Sequence, residues 1–130
     1  MKNYEELDIW QQGCQLAVNL YQLTEKDPFT KDFGLRDQIR RSAVSIPSNI
    51  AEGKERETVK ELARYLYISK GSAAELKTQL YIAQKVGYLD IDIYLDLSAR
   101  ATTLSKKIGG LIRKLKASRT RESDDHNERT

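Results

Sequence analysis

Residues 38–53 read Gln-Ile-Arg-Arg-Ser-Ala-Val-Ser-Ile-Pro-Ser-Asn-Ile-Ala-Glu-Gly. The pattern is helical, with a proline inside it. At 3.6 residues per turn, Leu35, Ile39, Ala43, Ile46 and Ile50 share one face, and Gly53 closes the run. Ser42 and Asn49 edge that face; Arg41, Ser45, Ser48 and Glu52 lie opposite. Pro47 has no N–H to give the Ala43 carbonyl, and its ring crowds that carbonyl, so the sequence predicts a kink. An interior proline costs about 3 kcal/mol unless neighbours compensate. The nearby hydroxyls and the Asn49 amide are the groups at hand to satisfy what the proline frees.

Upstream, a first helix is expected from about Glu5 to Thr24. Its stripe is Leu7, Trp10, Cys14, Ala17 and Tyr21, widened by Leu16, Leu20 and Leu23. Gly13 within it points to close packing against a neighbouring helix. Charged residues and then Pro28 end this helix. Residues 29–33 form the connection, Gly34 is a turn residue, and the second helix spans about Leu35 to Lys54, with Gly53 as a C-terminal breaker. Thr58 and Glu61 fit a capping box that opens the third helix. There Val59, Leu62, Leu66, Ser69, Ala73, Leu76, Leu80 and Ala83 step alternately by three and four, an uninterrupted heptad seam. Ser69 and Ala73 bracket Gly71, where a partner helix could approach closely. Gly87 stops the helix. A fourth starts near Asp90 or Asp92, with Tyr94, Leu97, Ala101, Leu104, Ile108, Leu111 and Leu115 on its stripe. That stripe passes through Gly109-Gly110, so the helix is expected to continue. The expected fold is an all-α, antiparallel up-and-down four-helix bundle with a proline-kinked second helix. The bundle domain is 1–117; the polar stretch 118–130 is expected to be disordered.

One hundred and thirty residues suffice for one core. The single Cys14 excludes an internal disulfide and suits a reducing, cytoplasmic setting. No basic-then-apolar leader opens the sequence, and its longest uncharged run, Ile9 to Thr24, is too short and polar to span a bilayer. The one histidine, His126, falls in the polar tail, which removes Ser-His and Cys-His nucleophile pairs and the Glu-x-x-His pairs of di-iron bundles. No glycine-rich phosphate loop is present. The sequence therefore points to a non-enzymatic protein without cofactor or metal. Glu52, Glu55, Glu57 and Glu61 surround the second connection, where an acid/base pair competes with a solvated, helix-starting turn. Cys14 reads as a small core residue rather than a reactive thiol.

Net charge is only +3, but its distribution is uneven. Residues 97–117 hold Arg100, Lys106, Lys107, Arg113, Lys114 and Lys116 and no acid. Two readings stand side by side: a face that binds nucleic-acid phosphates, or cations that complement the helix macrodipole and pair with neighbouring helices. Further cations flank the second helix: Arg36, Arg40 and Arg41 at its start, Lys54, Arg56, Lys60 and Arg64 about its far end. For Arg40 and Arg41 a structural or interface role is favoured. Tyrosines 65, 67, 81, 88 and 94 could stack on bases, but read better as half-buried bundle-edge rings. Tyr65, Ile68, Tyr81 and Ile82 lie off the third helix's seam, giving it a second apolar side suited to subunit contact.

The stretch GLRDQIRRSAVSIPSNIAEGKER (34–56), flanked by LDIWQQGCQLAVNLYQLT (7–24) and YLYISKGSAAELKTQLYIAQKVGYL (65–89), resembles the four-helix-bundle proteins encoded in intervening sequences of large-subunit ribosomal RNA genes. The likeness covers roughly residues 4–117. Carried onto this chain, the motif positions include Arg40, Arg41, Pro47, Asn49, Glu52 and Gly53, which read as structural. The resemblance implies a homo-oligomer. Through the related accessory variability proteins of retroelements, it implies a basic homopentameric ring that binds nucleic acid and a reverse transcriptase. Two functions follow as expectations: binding of RNA or DNA through basic helix faces, or a protein adaptor docking an enzyme such as a reverse transcriptase.

Overall fold

The computed structural model describes residues 3–129, with side chains described for 3–119. A short 3-10 turn, Tyr4–Glu6, leads into α1 (Asp8–Thr24). A second 3-10 turn, Phe29–Lys31, connects it to α2 (Phe33–Lys54). Then come α3 (Val59–Lys85) and α4 (Ile91–Arg129). The described residues contain no strand. Packing closes a ring: α1 lies against α2 and α4, and α3 against α2 and α4, with α2–α3 the most extensive contact. The fold is an all-α four-helix bundle.

Local chemistry explains where the helices start and stop. The Asp32 carboxylate accepts from the Leu35 N–H at 3.1 Å, capping α2. Its other oxygen takes a 2.9 Å hydrogen bond from the Tyr88 hydroxyl, so the α3–α4 connection is tied to the start of α2. Because of this cap, Gly34 lies inside the first turn of α2 and is not a connecting residue. Thr58 Oγ1 accepts from the Glu61 N–H at 3.1 Å, the first half of the expected capping box; the Glu61 carboxylate turns instead to Arg64. Gly87, at φ +85°, ends α3. The Tyr88 N–H reaches the Ala83 carbonyl at 2.8 Å and the Gly87 N–H that of Gln84 at 3.1 Å, a Schellman pair that needs the left-handed backbone glycine adopts cheaply.

The core agrees closely with the seams read from α3 and α4. Leu62, Leu66, Ser69, Ala73, Leu76, Leu80 and Ala83 are all buried; only Val59, at the end, is exposed. In α4, Leu97, Ala101, Leu104, Ile108 and Leu115 are buried, joined by Ile112, while Tyr94 and Leu111 are partly buried. The helix continues through Gly109-Gly110. It extends as helix to Arg129, beyond the expected boundary at Ser118; among the residues with described side chains the last buried one is Leu115. The side chains of the expected polar tail beyond 119, His126 among them, lie outside the described residues.

The apolar stripe of α1 is rotated from the expected one. Its buried residues are Ile9, Gly13, Leu16, Ala17, Leu20 and Thr24. Tyr21 is 41% exposed and Cys14 only half-buried. The cause is Gly13. A Cβ there would lie 3.3 Å from both Cβ and Cδ of Pro47, so the bare backbone of α1 rests on the proline ring of α2. The helix turns its glycine, not its larger neighbours, toward that contact.

Around Pro47, α2 stays helical. The Asn49 amide donates to the Ser45 carbonyl at 2.8 Å and to Ser45 Oγ at 2.9 Å, and the buried Ser69 hydroxyl donates to the Ile46 carbonyl at 2.8 Å. These bonds serve carbonyls beside the proline rather than that of Ala43. Ser45 and Ser72 share a further hydrogen bond of 2.8 Å. Small polar residues thus hold α2 and α3 close together, while Gly71 faces open space.

Gly53 is likewise not a helix breaker. It lies within α2, buried, and a Cβ there would be 2.9 Å from Tyr65 Cβ, 3.1 Å from Leu62 Cδ1 and 3.3 Å from the Leu62 carbonyl. Backbone cannot give way as a flexible side chain does. Gly53→Ala should therefore destabilise the fold by about 1–3 kcal/mol despite alanine's better helix propensity. Urea unfolding checks this; a midpoint equal to or above the parent's would show that α3 yields easily.

Candidate nucleic-acid interface

The six cations of α4 divide according to what they face. Arg100 turns toward α1 and donates to Asn19 Oδ1 at 2.8 Å. Lys107 reaches Asp8, at the other end of the sequence, at 2.9 Å. Lys116 lies over the Tyr67 ring, 4.9 Å from its centroid, and bonds the phenol oxygen. Lys106, Arg113 and Lys114 are exposed, and among the described residues none of the three makes an ion pair with a carboxylate. Half of the cationic run thus has contacts within the bundle, and half presents charge to solvent.

Lys106 and Arg113 are seven residues apart, on one side of α4. They line a groove of about 190 Å³ together with Lys70 and Lys77 of α3, Thr102, Ser105 and Gly109. Among the described residues no Asp or Glu lines it. Lys70 and Lys77 were not among the candidates read from sequence. Their own heptad spacing beside the α3 seam was the available signal, but only the packing of α3 on α4 shows which helix they face. Lys114 borders a broader surface hollow with Gly110, Arg113, Ala117 and Ser118.

The other candidates are structural or dispersed. Arg40 donates to Thr24 Oγ1 at 2.9 Å and to the Tyr21 carbonyl at 3.3 Å, with its guanidinium 4.4 Å from the Tyr21 ring centre. It binds α2 to the last turn of α1, where a cation also meets the negative end of the helix dipole. Arg41 is exposed. Glu52 pairs with Arg56 at 2.6 Å and Glu61 with Arg64 at 3.4 Å, so these carboxylates sit beside arginines instead of converging on each other. Among the described residues no three His, Cys, Asp or Glu side chains gather as metal ligands would. Burial pushes the Cys14 thiol above its ordinary range, which disfavours the reactive thiolate.

The expected interface residues are spread along α3. Ile68 and Ile82, both exposed, lie four turns apart along α3, and Ile82 lines a groove with Gln38 of α2. Tyr81 meets Tyr94 of α4 edge-on at 6.2 Å. Tyr65 lies beneath Arg56 and Arg64 and accepts from Arg56 at 2.8 Å. Sequence reasoning missed Phe33, Val86, Ile91 and Leu95, each more than half exposed, because they cluster near helix ends outside any periodic stripe.

The Lys107 hydrogen bond holds the Asp8 carboxyl below its ordinary value. A depressed carboxylate stabilises the fold above its unfolded pKa, about 3.9, and loses that contribution as pH falls through the lower folded value. Asp8 is exposed, so solvent screens the effect and added salt should weaken it. In an NMR titration Asp8 should titrate below the usual carboxylate range in the parent and return to it in Lys107→Gln. Identical midpoints would mean that the pair does not persist in solution.

Among the described residues, no helix is long and apolar enough to cross a membrane. No curated protein matches the sequence. The crystal structure of a protein of unknown function from the S23 ribosomal protein family of Bacteroides thetaiotaomicron is similar in fold, with a TM-score of 0.76 and 22% identity, covering 81% of this chain and 95% of that one. The family model described as 23S rRNA-intervening sequence protein matches residues 5–110. Matched over most of its length and folded as four packed helices, the chain belongs to the 23S rRNA-intervening sequence protein family.

Proposed function

We propose that this chain is a non-enzymatic, self-associating helical bundle of the cytoplasm that binds RNA or DNA through the basic face of α4, with structured ribosomal or element-derived RNA as its target. The observation that carries this reading is the division of the α4 cations. Arg100, Lys107 and Lys116 make contacts within the bundle, whereas Lys106, Arg113 and Lys114 face outward without a carboxylate among the described residues. Three cations on one side exceed what a helix terminus needs, and phosphate is the ligand chemistry that rewards such a face.

Binding to single-stranded RNA should be salt-dependent, with log K falling by about 0.7 per log unit of salt for each phosphate neutralised. Replacing Lys106, Arg113 and Lys114 by Gln should weaken binding and flatten that slope by about 0.7 for each phosphate contact removed. A fluorescent RNA titration at two salt concentrations measures both. Unchanged affinity and slope would remove this face from consideration. A parent protein that ignores RNA at low salt would favour the adaptor reading, in which the ring docks a co-encoded enzyme such as a reverse transcriptase.

Self-association is supported by the exposed apolar side chains Val18, Tyr21 and Val44 on α1 and α2, and Val86, Ile91 and Leu95 around the α3–α4 connection. A head-to-tail contact between copies gives a ring where its rotation closes. Light scattering should give a mass near five times 14.9 kDa. A monomeric mass across the micromolar range would sink the pentamer.

A further inference from the structure

We infer that the α3–α4 groove is a phosphate channel that seats successive phosphates of a nucleic-acid strand, with Lys70 and Arg113 converging over Gly109 as its central seat. This rests on the nucleic-acid reading above and adds a second helix, a location and a ligand group to it. A Cβ built on Gly109 would lie 3.5 Å from Arg113 Nη1, 3.5 Å from Lys70 Cε and 3.8 Å from Lys70 Nζ. The two cationic nitrogens are therefore no more than about 7 Å apart, a separation at which like charges repel unless an anion lies between them. They come from different helices, so the fold itself brings them together. The glycine leaves open the space where they meet.

The rest of the groove continues the same chemistry. Lys77 and Lys106, each seven residues from its counterpart, add a second pair of cations, and Thr102 and Ser105 add hydroxyl donors. Seven helical residues span about 10 Å, which sets the two pairs of cations to meet different phosphates of one strand. The nearest acidic groove residue on α3, Glu75, lines the opposite, α2-facing side with Gln38 and Thr78. An acidic peptide would also be attracted to cations, but the regular spacing of cations and hydroxyls along a narrow, acid-free channel fits a repeating phosphodiester better.

The test uses the full chain, a labelled single-stranded RNA and inorganic pyrophosphate. Lys70→Gln should weaken RNA binding about five- to tenfold, although Lys70 is not on the α4 face. Lys31→Gln, on an exposed turn elsewhere, should leave it within twofold. Gly109→Ala fills the seat at ordinary contact distances, so it should weaken binding while raising the melting temperature; a loss of binding there is not a loss of fold. If the parent binds RNA and Lys70→Gln matches Lys31→Gln, the groove is wrong and the broader reading stands. If the parent binds no RNA at low salt, the broader reading fails and calorimetry with pyrophosphate decides the groove. Pyrophosphate binding that depends on Lys70 would then assign the site to free phosphates and overturn the strand. No heat would eliminate the site.

Discussion

The bundle depends on how closely its second helix is approached from both sides. Pro47 presents a rigid ring to the bare backbone of Gly13, and one and a half turns later Gly53 presents bare backbone to Leu62 and Tyr65. Both contacts use the absence of a side chain, and no larger residue fits the second without moving a neighbouring helix. Between them, Ser45, Ser69 and Ser72 exchange hydrogen bonds across the α2–α3 contact, where hydroxyls are small enough to permit close approach and still satisfy buried polar groups. The motif that first marks the sequence is therefore a packing device. Its proline and glycines set interhelix distances, and Asn49 supports the local backbone.

Electrostatics contributes little to holding this fold and much to how its surface differs from side to side. The ion pairs among the described residues are exposed, and only Lys107–Asp8 joins distant parts of the chain. Such pairs are worth at most about 1 kcal/mol, far less than the apolar core. Charge is nevertheless sorted in space. Arginines on α2 and near its end lie on tyrosines and helix termini, while Lys70 and Lys77 of α3 and Lys106 and Arg113 of α4 share a groove that no acid lines among the described residues. A modest net charge conceals this sorting.

The sequence was most legible where a single physical requirement governed a long segment. The α3 seam, the continuation of α4 through two glycines, the Thr58 cap and the Gly87 stop are all local or periodic, and the structure has them. The stripe of α1 is rotated from the expected one even though Gly13 points to close packing, because the residue it meets, Pro47, lies thirty-four residues away and the sequence does not show that pairing. Gly53 was read as a stop because glycine near a helix end usually is one; here tertiary contact sets its identity. Of the tyrosines and isoleucines grouped as an interface, Tyr81 turns toward α4 and Tyr65 toward α2, a division that only the packed neighbours reveal.

The sequence by itself determined that the chain is all-α, where its four helices lie, which family it resembles and that its cations crowd the last helix. The family likeness rests on the motif at 34–56 and its flanks; the others follow from periodicity, capping and composition, which act over a few residues and need no partner to be read. Only the tertiary structure decided which cations point outward, that Lys70 and Lys77 join Lys106 and Arg113, and that Gly109 opens the space between them. Pairings between helices depend on how each rotates about its axis. That rotation is set where the packed helices meet, at contacts such as Gly13 on Pro47, and no stretch of sequence contains both sides of such a contact.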